Sequence, residues 1–196
     1  LYSEPLTYWD YIQLDTLLSI QNPRTGFPDE NIFIMYHQIT ELYFKLSLHE
    51  LKQIGAQQEP SAAFTTARLH RVNNYFKNLT HSFDIMIEGM EREQFLKFRM
   101  SLLAASGFQS AQYRMIEFCS TDLINLIDYR FRATIDRNTP YEHAYNHLYW
   151  QAAGKNHETG EKTTLIQLFE ERYKADFLRT MEAYNEKNLW ARFRLL

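Results

Sequence analysis

Glycine and proline are scarce in this chain, and their spacing limits the possible folds more than any other feature. The 196 residues include six glycines and five prolines, so few positions favour a tight turn. Most of the stretches between them are far longer than a typical β-strand of about five or six residues. The sequence therefore predicts an all-α protein, a multi-helix bundle of about six or seven helices in a single domain over residues 1–196.

Apolar residues recur at helical spacing in two of these stretches. Intervals of four, three and four residues are typical of the apolar stripe of an amphipathic helix, and we expect both stripes to face the core. The first stripe consists of Met35, Ile39, Leu42 and Leu46, and the second consists of Met115, Cys119, Leu123 and Leu126.

Charge, cysteine content and hydropathy exclude several classes of protein. The formal net charge of −3 makes nucleic acid an unfavourable partner. The single Cys119 excludes a disulfide scaffold within the chain and a cysteine-rich zinc module, and a small buried residue is its expected role. No run of 18 apolar residues is present, so we expect no membrane span and a cytoplasmic location.

Aromatic residues reach 15% of the chain, which permits two interpretations. They fill interfaces between helices, or they line a pocket for a flat ligand. Metal chemistry has little support, because a di-iron bundle needs Glu-x-x-His motifs and the sequence contains none. His143 and His147 would share a helix face, but no third ligand is apparent, so we predict no metal ligand in this chain.

Two pairs of residues, each four apart, suggest a binding site. Phe33 and His37 would be neighbours on one helix face, as would Phe95 and Arg99. An arginine beside an aromatic ring suits a carboxylate carried on an aromatic body. We expect the second helix to stop near Ser106–Gly107, which would leave free backbone donors there. Together the pairs describe a pocket for an aromatic amino acid, although a core histidine and a surface salt bridge remain alternatives.

Three stretches of the sequence resemble the tryptophan 2,3-dioxygenase family. The first is Leu6-Thr-Tyr-Trp-Asp-Tyr-Ile-Gln-Leu-Asp15, and the second runs from Phe33-Ile-Met-Tyr-His37 to His49-Glu50. The most specific is Ser106-Gly-Phe-Gln-Ser-Ala-Gln-Tyr-Arg114, which is similar to the family signature Ser-Gly-Phe-Gln-Ser-x-Gln-[Phe/Tyr]-Arg. The match is clear over residues 6 to about 119 and weak afterwards.

The resemblance implies a haem dioxygenase-like all-α fold and an enzyme of the kynurenine pathway. Such an enzyme uses haem b to insert both atoms of O₂ across the indole C2–C3 bond of L-tryptophan, giving N-formylkynurenine. The resemblance also implies a homo-oligomer, typically a tetramer. Two other hypotheses remain: a haem-containing relative that acts on another indole, and a non-catalytic all-α module that binds an indole amino acid or serves in assembly.

The resemblance also assigns roles to individual residues. His37 would be the catalytic histidine that hydrogen-bonds the indole N–H, with Phe33 and Phe95 flanking the ring and Arg99 binding the carboxylate. The remaining substrate-binding positions would be Ile34, Met35 and Tyr36, together with Tyr8 and Tyr11 of an amino-terminal helix that reaches a neighbouring subunit. The haem-binding positions would be Phe83, Leu102, Ser106 and Gly107.

One part of the family pattern is not found. The family's proximal haem ligand is a histidine in a carboxy-terminal helix, followed by a glycine-rich loop. No histidine follows His157 and no glycine follows Gly160, and Leu195 stands where the ligand would be sought after Trp190-Ala-Arg-Phe-Arg194. We expect this chain to lack the family's carboxy-terminal haem-ligating part. The alternative is a lost or relocated ligand, for which the only late histidines are His143, His147 and His157.

Overall fold

The computed structural model describes residues 5–102, 109–155 and 160–196 and shows an all-α protein, as predicted. The described residues form ten α-helices, five of which have eight or more residues, and the sequence had suggested about six or seven. No strand occurs among them, and the two isolated β-bridges join Ile127 to Leu148 and Lys155 to Lys162. No helix in these ranges is long and apolar enough to span a membrane.

The helices follow in chain order with short connections. They are α1 (Tyr8–Ile12), α2 (Leu14–Ser19), α3 (Asp29–Ala56), α4 (Ala62–Ser82), α5 (Asp84–Ile87), α6 (Arg92–Arg99), α7 (Ala111–Ser120), α8 (Tyr141–Tyr145), α9 (Thr164–Tyr184) and α10 (Leu189–Phe193). Three 3₁₀ segments complete the described structure, at Met100–Leu102, Leu123–Leu126 and Tyr149–Gly154.

The chain divides into two compact units. The first unit comprises Leu1–Thr40 and Ser82–Leu103, and the second comprises Glu41–His81 and Ala104–Leu196. The main core of the second unit surrounds the fully buried Phe177 of α9, whose ring contacts those of Phe118, Tyr145, Trp150, Phe169 and Tyr173 at centroid distances of 5.5–6.3 Å. A large share of the aromatic excess therefore serves packing between helices.

The first predicted apolar stripe does not face the core. Its four residues are 43–48% exposed, and the buried face of α3 instead carries Tyr36, Phe44, Leu48, Leu51 and Ile54. The error has a simple cause, because the buried series repeats at nearly the same intervals on the opposite side of the helix. Periodicity identifies an apolar face but cannot choose between two of them.

The second predicted stripe is confirmed in part. Cys119 and Leu126 are buried, and Met115 and Leu123 are partly buried against the cores. However, α7 ends at Ser120, so the stripe continues through a 3₁₀ turn and does not lie on one helix. Cys119 is a free, buried thiol as expected, and burial raises its pKa to about 12.

The contact between Gly154 and Ile166 gives a test of the second unit. A Cβ on Gly154 would lie 2.3 Å from Cδ1 and 2.8 Å from Cβ of the fully buried Ile166. We expect Gly154→Ala to lower the free energy of unfolding by about 1–3 kcal/mol, because a buried β-branched side chain cannot move aside freely. Urea denaturation followed by circular dichroism measures this change.

Gly26→Ala is the matched control, because nothing lies within 4 Å of the added Cβ at that position. We expect it to leave the stability unchanged or to raise it by up to about 1 kcal/mol. Equal effects of the two substitutions would contradict the close approach at Gly154.

Candidate active site

Two acidic residues at the start of α3 organise the first unit. The buried Glu30, 1% exposed, accepts hydrogen bonds from the backbone amides of Arg24 and Thr25 at 2.8 and 2.7 Å and from Thr25 Oγ1 at 2.5 Å. Burial raises the pKa of Glu30, but these hydrogen bonds and the nearby Arg24 charge outweigh burial and hold the pKa below its usual value. The carboxylate therefore fixes the loop that precedes α3.

Asp29 connects the start of α3 to the start of α6. Its carboxylate accepts a hydrogen bond of 2.5 Å from the Glu91 amide, and its own amide donates to Gln94 Oε1 at 3.3 Å. Phe33 and Phe95 lie four residues beyond Asp29 and Glu91, so each is one helical turn further along its helix. The two rings meet with their centroids 6.3 Å apart.

These rings belong to a larger aromatic cluster. Phe33 lies 4.1 Å from the His37 ring and 5.8 Å from Phe98, which is fully buried and packs edge-on against Phe95 at 5.5 Å. The structure therefore brings together three of the predicted residues, Phe33, His37 and Phe95. The sequence interpretation had given Phe98 no role, although its spacing of three from Phe95 places both rings on one face of α6.

A hydrogen bond within α3 orients the His37 side chain. Its Nδ1 lies 2.8 Å from the Phe33 carbonyl oxygen. Because a carbonyl can only accept, Nδ1 carries the proton, and the Nε2 of the neutral ring is left as an acceptor. The histidine is exposed, so the alternative of a core histidine is wrong for this structure. The geometry presents a hydrogen-bond acceptor beside two aromatic rings.

Arg99 is the last residue of α6 and follows Phe95 by one helical turn. Its side chain is exposed, and no carboxylate among the described ranges forms an ion pair with it. The surface salt bridge considered from the sequence is therefore not found in those ranges. The guanidinium is left available for an anionic group of a ligand.

Helix α6 ends earlier than expected. The sequence placed the stop near Ser106–Gly107, but α-helix gives way to 3₁₀ structure at Met100, and Ser101 Oγ donates to the Phe98 carbonyl at 2.6 Å. A serine that bonds to a carbonyl of its own helix competes with the regular backbone pattern. The predicted haem-binding residues Ser106 and Gly107 lie outside the described residues.

The other predicted positions of this region lie close to His37 in sequence or in space. Tyr36 is buried, its ring lies 6.1 Å from His37 and 6.0 Å from Phe83, and its hydroxyl is 3.5 Å from Ser82 Oγ. Phe83 is half exposed, and Leu102 is partly buried in the 3₁₀ turn that follows α6. Ile34 is partly buried, whereas Met35 is exposed.

The predicted tyrosines of the amino-terminal helix are exposed. Tyr8 and Tyr11 of α1 are 69% and 73% exposed, and neither α1 nor α2 has a buried residue. Gln13, whose φ of 54° is left-handed, separates the two helices. The structure does not place these tyrosines with the aromatic cluster by any contact among the described residues.

The signature residues that follow position 109 stabilise α7 within the second unit. Gln112 Nε2 donates to the carbonyl and carboxylate oxygens of Glu41 at 2.8 and 2.9 Å. The buried Arg114 donates to Glu117 and to Tyr149 Oη at 2.8 and 2.7 Å, and Tyr149 in turn donates to Glu117. Burial raises the pKa of Glu117, with these donors opposing the shift. The described part of the signature thus has a structural role.

The residues of the first unit fit one face of a haem and supply no ligand for the other face. Phe83 and Leu102 offer apolar surface, and His37 is the only histidine of this unit within the described ranges. His143 and His147 belong to the second unit, where the His147 ring packs on Phe131 at 4.3 Å. No group of three His, Cys, Asp or Glu residues in the described parts could hold a metal ion.

The Glu30 contacts predict how the first unit responds to acid. A carboxylate whose pKa is lowered by folding stabilises the protein above its unfolded pKa of about 4.3, and this contribution disappears as the pH falls through the lower folded pKa. We expect Glu30→Gln to reduce the free energy of unfolding at pH 7 by about 1.5–3 kcal/mol. The deficit should shrink below about pH 4, as measured by urea denaturation across a pH series.

Glu59→Gln serves as the control for this substitution, because Glu59 is exposed and has no hydrogen bond or ion pair within the described residues. We expect a change below about 0.5 kcal/mol at every pH. A Glu30→Gln deficit that stays constant from pH 7 to pH 3 would contradict the assignment.

Comparison with known proteins identifies the family. The family model for tryptophan 2,3-dioxygenase matches residues 2–194. Proteins named tryptophan 2,3-dioxygenase from Polaromonas naphthalenivorans (strain CJ2), Anaeromyxobacter sp. (strain K) and Bacillus thuringiensis (strain Al Hakam) are 41%, 44% and 41% identical to it. These alignments cover 59–60% of this chain and 42–44% of each relative, so the chain spans less than half of their length. Because the family model covers nearly all its residues, the chain belongs to the tryptophan 2,3-dioxygenase family.

Proposed function

We propose that this chain carries the substrate side of a haem-dependent enzyme that converts L-tryptophan and O₂ to N-formylkynurenine. The observation that carries the proposal is the cluster of Phe33, His37 and Phe95, with the unpaired Arg99 one helical turn beyond Phe95. The family membership of the chain supports the same reaction.

The chemistry of the cluster suits an indole amino acid. The Phe33 and Phe95 rings would pack against the indole, since aromatic pairs are favourable at centroid distances of about 4.5–7 Å. The free Nε2 of His37 would accept a hydrogen bond from the indole N–H. Arg99 would bind the carboxylate through two parallel charge-assisted hydrogen bonds, while Ile34 and Met35 would add apolar surface.

His37 and Arg99 would orient the substrate and take no part in forming bonds. With Nδ1 donating to the Phe33 carbonyl, the imidazole holds a fixed rotamer and a fixed tautomer. A substrate held at both its N–H and its carboxylate has little rotational freedom, which lowers the entropic cost of reaching the reactive geometry. The surrounding rings would exclude water from the indole.

The proposed cofactor is haem b, which when bound would supply the O₂ chemistry. Phe83 and Leu102 would contact its distal face, joined on the family resemblance by Ser106 and Gly107. No residue of this chain is assigned as the axial ligand. The expected single domain, without the family's haem-ligating part, stays a prediction.

We also propose that the active protein is a cytoplasmic homo-oligomer, with a tetramer as the expected form. The exposed Tyr8 and Tyr11 support this, because α1 and α2 bury no side chain of their own, and large exposed apolar patches often mark interaction surfaces. In the assembled protein these tyrosines would reach the substrate of a neighbouring subunit.

The direct test of this function is product formation by the purified protein after haem reconstitution. We expect reduced, haem-loaded protein to convert L-tryptophan to N-formylkynurenine, with both oxygen atoms derived from ¹⁸O₂ as seen by mass spectrometry. Tryptophan binding without haem uptake would instead favour the non-catalytic binding module. That alternative is kept because the described part of the first unit supplies no histidine besides His37.

Arg99 provides a test of substrate recognition that does not depend on turnover. We expect Arg99→Ala to weaken L-tryptophan binding by roughly 10- to 150-fold, the loss of one hydrogen-bonded charge contact. Binding of tryptamine, which lacks the carboxylate, should change little. Isothermal titration calorimetry measures both ligands.

Arg92→Ala is the control on the same helix, because seven residues place Arg92 about 10 Å from Arg99 along the axis of α6. We expect its affinity for L-tryptophan to match that of the wild type. If wild-type protein bound tryptophan and tryptamine equally well, Arg99 would not have the proposed role.

A further inference from the structure

Two clefts in the second unit share the side chains of Lys187 and Arg192, next to α10. The larger has a volume of about 610 Å³, which lies within the usual range of small-molecule sites, about 300–1,000 Å³. The smaller has a volume of about 340 Å³ and extends toward Lys52 and Gly55 near the end of α3. None of the residues proposed to bind tryptophan or haem lines either cleft.

The larger cleft carries an excess of positive charge. Four cations and two carboxylates line it, and one pair is internally neutralised, because Arg194 Nη2 donates to both oxygens of Asp122 at 3.0 and 2.9 Å. Glu186 is the remaining carboxylate. Within the described ranges, Arg137, Lys187 and Arg192 form no ion pair. The excess is notable in a chain whose net charge is −3.

Arg192 makes this excess costly for the protein alone. Its side chain is 9% exposed, its Nη2 donates to the Gly55 carbonyl at 3.0 Å, and its Nε has no hydrogen-bond partner among the described residues. A neutral carbonyl does not compensate a buried positive charge, which is unfavourable without a counter-ion. The smaller cleft adds Lys52 and no acidic side chain.

We propose that these clefts bind a small anion with at least two negative charges, of the phosphate or polycarboxylate type. Arg137 and Lys187 would contact it directly, since both are exposed at the larger cleft. Arg192 would add its field from the wall between the two clefts. Guanidinium and ammonium groups together form charge-assisted hydrogen bonds with both oxyanion classes.

The test is isothermal titration calorimetry of the full chain at low ionic strength, with pyrophosphate and citrate as separate probes. We expect binding that weakens as salt is added, because exposed charges are screened. The double variant Arg137→Gln/Lys187→Gln should bind at least ~10-fold more weakly. Arg172→Gln should bind as the wild type does, because Arg172 lies on α9, is exposed and lines neither cleft.

Thermal denaturation separates a binding defect from a folding defect. Both substituted side chains are exposed and unpaired, so the variant should melt as the wild type does without ligand. Pyrophosphate or citrate at about 100 times its dissociation constant should raise the melting temperature of the wild type by roughly 5–10 °C, and that of the variant by much less.

Tighter binding of pyrophosphate would assign the site to phosphate compounds, and tighter binding of citrate to polycarboxylates. The proposal is overturned if neither probe binds at millimolar concentration in low salt. It is also overturned if the double variant and the wild type bind with the same affinity.

Discussion

The hydrogen bond from the Glu91 amide to the Asp29 carboxylate is the contact on which the candidate site depends. It joins residues 62 positions apart in the chain, at the first residue of α3 and the residue before α6. From these two points each helix advances one turn to a phenylalanine, and the rings of Phe33 and Phe95 then meet. Glu30 adds a second constraint, because its carboxylate fixes the incoming loop.

Phe33 contributes to the site through two different groups. Its ring packs against His37 and Phe95, while its backbone carbonyl accepts the proton of His37 Nδ1. The backbone contact determines which imidazole nitrogen is free, and the ring determines which surface lies beside it. An acceptor and an apolar face are thereby presented together, which is the combination that an indole N–H requires.

Part of this architecture could be predicted from the sequence because it is local. Scarce glycine and proline indicated helices, and a spacing of four residues correctly placed Phe33 beside His37. The burial pattern of α3 was mispredicted, because that helix is apolar on two sides. Likewise, no periodic signal marks Phe98 as the buried centre of the cluster, or indicates that Asp29 bonds to a residue so distant in the chain. Contacts of that kind depend on tertiary packing.

The central claim is that His37 presents an unprotonated Nε2 to the indole N–H, and NMR spectroscopy of its imidazole nitrogens tests it most directly. Long-range ¹H–¹⁵N spectra of the full chain, with His37→Gln used to assign the signal, would show which nitrogen carries the proton. The account predicts the Nδ1–H tautomer near neutral pH and an Nε2 shift that moves with L-tryptophan but not with 1-methyl-tryptophan, which lacks the N–H. An Nε2–H tautomer, or equal responses to the two ligands, would contradict it.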